Sequence, residues 1–170
     1  NTMKPLYEKI PTQLNTSFHI HRAVNKYLDI AWHFHPETEI TYIHKGSGTK
    51  YIGNSMSPFA PGEIVLIGPN IPHLWKNDTE YYKEDNHLTH EDWVVQFDKS
   101  FWGDHFLDLP EMQKIKALLK EAQRGIAICF DTNMHDKFVK LYDRLFFAES
   151  FIKLQILIEL LGMLAYYGQR

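Results

Sequence analysis

The sequence predicts a mainly β protein with α: a jelly-roll β-barrel followed by a small helical subdomain of about three helices. Three observations point there. Between Ser17 and Phe97, short β-leaning runs recur with turn residues between them. Beyond Phe97 the apolar spacing lengthens to the helical period. With 170 residues, 14% of them aromatic, the chain can fill one real core and carry a small satellite.

Residues 1–16 read as an irregular N-terminal arm, because Pro5 and Pro11 limit regular pairing. Asn1-Thr2 ahead of Met3 reads as a cloning remnant. The barrel, 17–100, is assigned strands at 17–24, 28–35, 39–45, 48–53, 63–67, 72–77 and 92–97, with a weaker one at 56–60. Lys45-Gly46-Ser47-Gly48 and Ile52-Gly53-Asn54 are hairpin turns, since glycine tolerates positive φ, and Pro61-Gly62 is a further turn. Asn77 to His90 is too polar for a strand and reads as a mobile excursion.

The helical subdomain, 101–170, opens at Asp108-Leu109-Pro110-Glu111, with Asp108 as cap, Pro110 in the first turn and Glu111 in capping-box position. Ile115, Leu118, Leu119 and Ala122 form its stripe, and Gly125 stops it. Ile126 to Phe130 reads as a short strand or extended link. A second helix begins near Asp131 or Thr132, with Phe138, Leu141, Tyr142, Leu145 and Phe146 on its apolar face. A third, Ser150 to Tyr167, is apolar on more than one face and so calls for two partners. The sisters or the barrel supply one. A second subunit meeting Leu154, Leu157, Ile158 and Leu161 is the expected other.

Net charge is −3, and the 18 Lys and Arg are scattered, so the segment lacks the footprint of a surface that grips phosphates. The single cysteine, Cys129, can make no internal disulfide, which is compatible with a reducing cytoplasm. No apolar signal core opens the chain, and Lys153, Gln155 and Glu159 interrupt the greasiest segment, so no membrane span is expected.

The chemistry concentrates in His33-Phe34-His35-Pro36-Glu37-Thr38-Glu39 and in His73. On a strand, His33, His35 and Glu39 share a face. With His73 from another strand they form a three-His, one-carboxylate set suited to a first-row divalent metal with open positions. The same histidines could instead serve as hydrogen-bonding groups of a pocket. Glu37 shares parity with Glu39 and is the alternative ligand if Pro36 introduces a bulge; Glu39 is preferred. Trp75 shares strand parity with His73 and, with Tyr51, is a candidate to stack on a ligand. His19xHis21 repeats the spacing but reads as a polar strand face with Phe18 and Ile20 packing inward. His87 and His90 read as solvated.

His33xHis35xxxGlu39xxxxxxGly46 and His73xxxAsn77 resemble the two motifs of the cupin family. With their flanks, Trp32 through Ile43, Phe59 through Trp75, Val94-Val95-Gln96-Phe97, Leu109 to Met112 and Ala122 to Ile126, they resemble the N-terminal sensor domain of AraC-family transcriptional regulators. Two departures from metal-dependent cupin enzymes favour the regulators. No glycine lies in Tyr27 to Trp32, ahead of the HxH pair, and Gly68-Pro69-Asn70 stands where a PxG element is expected.

The resemblance implies a cytoplasmic, homodimeric sensor domain. It would bind a small-molecule effector, such as a sugar, near His33, His35, Glu39, His73, Trp75 and Tyr51, directly or through Zn, Ni, Fe or Mn held by His33, His35, Glu39 and His73. It implies no catalytic residue, and contact with DNA only through a C-terminal helix-turn-helix domain expected after 170. The rival is a metal-dependent cupin enzyme, a sugar isomerase or dioxygenase.

Overall fold

The computed structural model describes residues 4–170. The first three positions, and the reading of Asn1-Thr2 with them, lie outside the described residues. Two five-stranded sheets make the barrel. One runs in the order β1 (Leu6–Tyr7), β3 (His33–Phe34), β8 (His73–Asn77), β5 (Gly48–Ile52), β6 (Ser55–Phe59). The other runs β10 (Ile126–Ile128), β7 (Ile64–Ile67), β4 (Glu37–Lys45), β9 (His90–Asp98), β2 (His19–Asn25). The sheets pack through an inner apolar cluster that draws Ile43, Val65 and Ile67 from one and Ile52, Phe59 and Trp75 from the other.

The second sheet is buried on both faces. Ile40, Tyr42, Leu66, Trp93 and Val95 alternate outward and join a larger cluster with the helices α1 (Gln113–Glu121), α2 (Thr132–Leu145) and α3 (Ser150–Tyr167). Alternation puts Glu39, Thr41, Val94 and Gln96 on the opposite face, toward the barrel interior. The Tyr142 hydroxyl, from the fully buried Tyr142 on α2, donates to the carbonyls of Ile40 (2.7 Å) and Trp93 (3.1 Å), tying α2 to the middle of this sheet. Strand β10, from between the helices, extends the same sheet by pairing with β7.

Several elements differ from expectation. The run 28–35 narrows to β3, because the arm supplies β1, which pairs with it in parallel despite Pro5. The stretch from Asn77 to His90 contains a 3-10 turn, Thr79–Tyr82, pinned by buried Tyr81, and β9 begins at His90. Asp108 does not cap α1; it pairs with Lys116, and a 3-10 turn at Pro110–Met112 leads into the helix. Asp131 does cap α2, its Oδ1 accepting from the Met134 amide at 2.9 Å.

The third helix, by length and composition alone apolar enough to cross a membrane, packs Ile156, Leu157, Leu160, Leu161 and Leu164 into the helical cluster. Leu157 and Leu161 are therefore corrected from the expected partner surface: both are 0% exposed within one chain. Leu154 and Ile158 are half-buried at its margin.

A candidate ligand and metal site in the barrel

His33 begins β3 and pairs with His73, the first residue of β8. His35 lies in the break between β3 and β4, and Glu39 follows on β4. The ligand atoms of His33, His35 and His73 all lie within 4.8 Å of one another, and the three residues are buried. The backbone fixes which nitrogen each imidazole offers. His33 Nδ1 lies 2.8 Å from the Ala31 carbonyl, His73 Nδ1 2.8 Å from that of Ile71, and His35 Nδ1 3.2 Å from that of Glu37. A carbonyl only accepts, so each Nδ1 carries a proton, and each ring turns its Nε2 toward the shared point.

Carboxylates face those nitrogens. Glu39 Oε2 is 3.0 Å from His35 Nε2 and 3.6 Å from His73 Nε2, and Glu8 Oε2 of the arm is 3.2 Å from His33 Nε2. A carboxylate oxygen only accepts, so a proton or a cation must lie between it and the Nε2 it faces. Burial alone would raise the Glu39 pKa, but the charge of His73 and hydrogen bonds from His35 and His73 hold it well below the usual carboxylate range. Burial lowers His35, yet the hydrogen bond and charge of Glu39 outweigh this and raise it. Burial and neighbouring His73 lower His33.

The residues fit a divalent metal. Three imidazole nitrogens converge, each oriented by a backbone acceptor on its far nitrogen, as metal-binding histidines usually are. His33, His35 and His73 would hold the ion, with Glu39 beside it; bound, it would act as a Lewis acid toward an oxygen-bearing ligand. Glu39 is itself held by Thr41 Oγ1 (2.5 Å) and Gln96 Nε2 (2.9 Å). Glu37 sits on the other side of His35, its Oε2 at 3.6 Å from Nδ1, so a bulge does not bring it to the point.

A cavity of about 250 Å³ opens onto this point, lined by His33, Glu39, His73 and Trp75 and overlain by Glu8, Ile10 and Pro11 of the arm. Tyr51, expected with them, is placed elsewhere. It is paired with Leu74, whose parity is opposite to that of His73 and Trp75, and it shares an outer groove with Trp32 and Met56.

The cavity also contains groups that sequence reasoning passed over: His19, His21, Thr41, Asp92 and Gln96. Phe18 and Ile20 do pack inward, but into the helical cluster, which leaves His19 and His21 facing the barrel interior beside Gln96 and Val94. Burial lowers both imidazoles. The pairing of an alternating apolar set with an alternating histidine set was the available signal for a strand buried on two faces. His90 is corrected too. It is 0% exposed, takes the Asn77 amide at 3.1 Å on Nδ1, and leaves no room for a side chain at Gly46, whose Cβ would lie 2.3 Å from that nitrogen. Asn77, which also accepts from the Leu28 amide at 2.7 Å, is thus a structural tie rather than part of the cavity.

Residues 23–81 match the family described as the cupin domain, and the barrel is of the cupin type, with three helices packed on one sheet. The apo ToxT K231A structure from Vibrio cholerae strain SCE256 is similar at 12% identity and a TM-score of 0.51. That likeness covers 89% of this chain and 54% of ToxT, so the chain spans about half the length of that protein. A cupin 2 conserved barrel domain protein from Salinispora arenicola CNS-205 is similar at 21% identity and a TM-score of 0.41, over 55% of this chain and 73% of that one. A putative mannose-6-phosphate isomerase from Ralstonia eutropha JMP134 is similar at 14% identity and a TM-score of 0.38, over 48% and 75%. Among curated protein sequences, none matches significantly.

Proposed function

We propose that this chain is the effector-sensing and dimerisation domain of an AraC-family transcriptional regulator, cytoplasmic, with DNA contacted by a helix-turn-helix domain following it. The observation that carries this reading is the position of one sheet between cavity and helices. Strands β4 and β9 present Glu39, Thr41, Asp92 and Gln96 to the cavity and Ile40, Tyr42, Trp93 and Val95 to the helices. A ligand that shifts Glu39 or Gln96 must move the strands on which α2 is hydrogen-bonded. Occupancy biases the helices only as far as the ligand prefers one arrangement over the other, and DNA would alter ligand affinity by the same factor.

The effector is small. A 250 Å³ cavity holds the equivalent of about eight waters at the liquid value. It would bind through a divalent metal at His33, His35 and His73, or directly on their Nε2 atoms. The ToxT fold match, which extends over the helices as well as the barrel, supports the two-part organisation.

The test is zinc titration by calorimetry with a thermal melt. Wild type is expected to bind one equivalent and to melt higher, because a ligand of the folded state stabilises it. His73→Ala should weaken binding at least about tenfold. Unchanged affinity would remove His73 from the site. The second reading, a metal-dependent cupin enzyme, is favoured by the same convergence of imidazoles beside a buried carboxylate. It requires turnover that His33→Ala abolishes, whereas the sensor stabilises without turnover.

A further inference from the structure

Besides the ring nitrogens of His19, two polar atoms from residues lining the cavity lie away from the three-histidine point and have no partner among the described residues: Trp75 Nε1 and Asp92 Oδ1. Their residues are 6% and 8% exposed, so neither atom is served by bulk solvent. Trp75 follows His73 by two residues on β8, which places it on the same inner face roughly 7 Å further along. Asp92 pairs with Ile43 across β9 and β4, and Ile43 belongs with Trp75 to the inner apolar cluster. The donor and the acceptor thus come from opposite sheets into one cavity.

Buried polar atoms of native proteins are almost always paired. An indole N–H only donates and a carboxylate oxygen accepts, so together they complement a single group that accepts and donates at once. A hydroxyl is the smallest such group. We propose that Asp92 and Trp75 form a second recognition station, for a hydroxyl of the ligand, so that the cavity selects small hydroxylated molecules whose oxygen-bearing head sits at the three histidines. The station rests on the reading of this cavity as a small-molecule site and assigns its specificity to residues outside the histidine cluster. The lining also includes the apolar Val94 and Leu28, which favours a ligand with a short carbon spacer over a fully charged one.

The experiment compares glycerate with propionate, which match in carbon count and carboxylate and differ in hydroxyls, by calorimetry on the zinc-loaded chain. Wild type should prefer glycerate by roughly tenfold, about one net hydrogen bond's worth. Asp92→Leu and Trp75→Phe should bring the two probes to parity, and Asp92→Asn, which keeps an acceptor, should retain the preference. Zinc affinity should stay unchanged in all three variants, which also shows that they fold. Equal binding of both probes by wild type, or a preference that survives Asp92→Leu, overturns the station. So does wild type that binds zinc but neither probe, a result that leaves the metal site standing. Failure of wild type to bind zinc or either probe would instead sink the small-molecule reading itself.

Discussion

His33 and His73 show how a backbone carbonyl decides what an imidazole can do. With Nδ1 committed to Ala31 and Ile71, each ring has one nitrogen left, and the fold aims both into the same cavity. Asp92 shows the opposite case, a group kept short of partners. Burial, aided by the charge of Glu39, pushes its carboxyl up to about 7, from an ordinary 3.8. Between about pH 4 and 7 the native chain therefore holds a proton that the unfolded chain has lost, and stability falls as pH rises through that window. His90 on the same strand runs the other way. Burial pushes it down to about 4, so its contribution is present above 6.5 and lost as pH falls toward 4.

The two nearly offset one another in weakly acidic solution. Asp92→Asn should match wild type near pH 4 and exceed it above pH 7 by up to about 4 kcal/mol, in urea denaturation across that range. It should also expose the steeper acid loss due to His90. A variant no more stable than wild type at pH 8 would show that the Asp92 carboxyl is better solvated than its surroundings indicate. The histidine set of the site was legible from spacing, because HxH with a downstream carboxylate has few structural uses. Asp92 was not, since an isolated aspartate in a strand carries no signal until pairing places it opposite Ile43.

At the scale of elements, periodicity located most strands and all three α-helices, and it failed where an element has two buried faces. At the start of β2 the rule that apolar side chains mark the inside was obeyed by Ile20 and by Phe18 just ahead of the strand, but the sheet has an inside on each face. Tyr51 failed for a related reason. Aromatic type does not reveal parity, and only the register with Leu74 sends it outward. The β1 pairing of the arm was illegible because two residues of backbone pairing leave no pattern.

The third helix carries a prediction of its own. Its buried ridge is Leu157, Leu160, Leu161 and Leu164, while Phe151, Leu154 and Ile158 fall at i, i+3 and i+7 on a face with Phe151 69% exposed. If dimerisation runs over α3, it uses this second face. Phe151→Glu should yield monomers that melt normally, followed by sedimentation velocity. Leu157→Glu should instead collapse the fold, since it buries an unpaired charge in the core. A dimer that survives Phe151→Glu places the interface elsewhere.

At the scale of the molecule, the arrangement is cavity, sheet, helices, in that order. The jelly-roll class followed from strand spacing and turn glycines, and the helical subdomain from the change of period. The packing of one on the other depends on Ile40, Tyr42 and Trp93 facing outward from the sheet that bears Glu39, which no local pattern reveals. On the proposed sensor reading, that shared sheet would carry the response from cavity to helices. The direct test is amide hydrogen exchange with and without one equivalent of zinc. Binding at the histidines is predicted to slow exchange in β4 and β9 and also in α2, where Tyr142 grips both strands. Protection confined to the segments around His33, His35 and His73, with α2 unchanged, would contradict a sensor whose helices respond to the cavity.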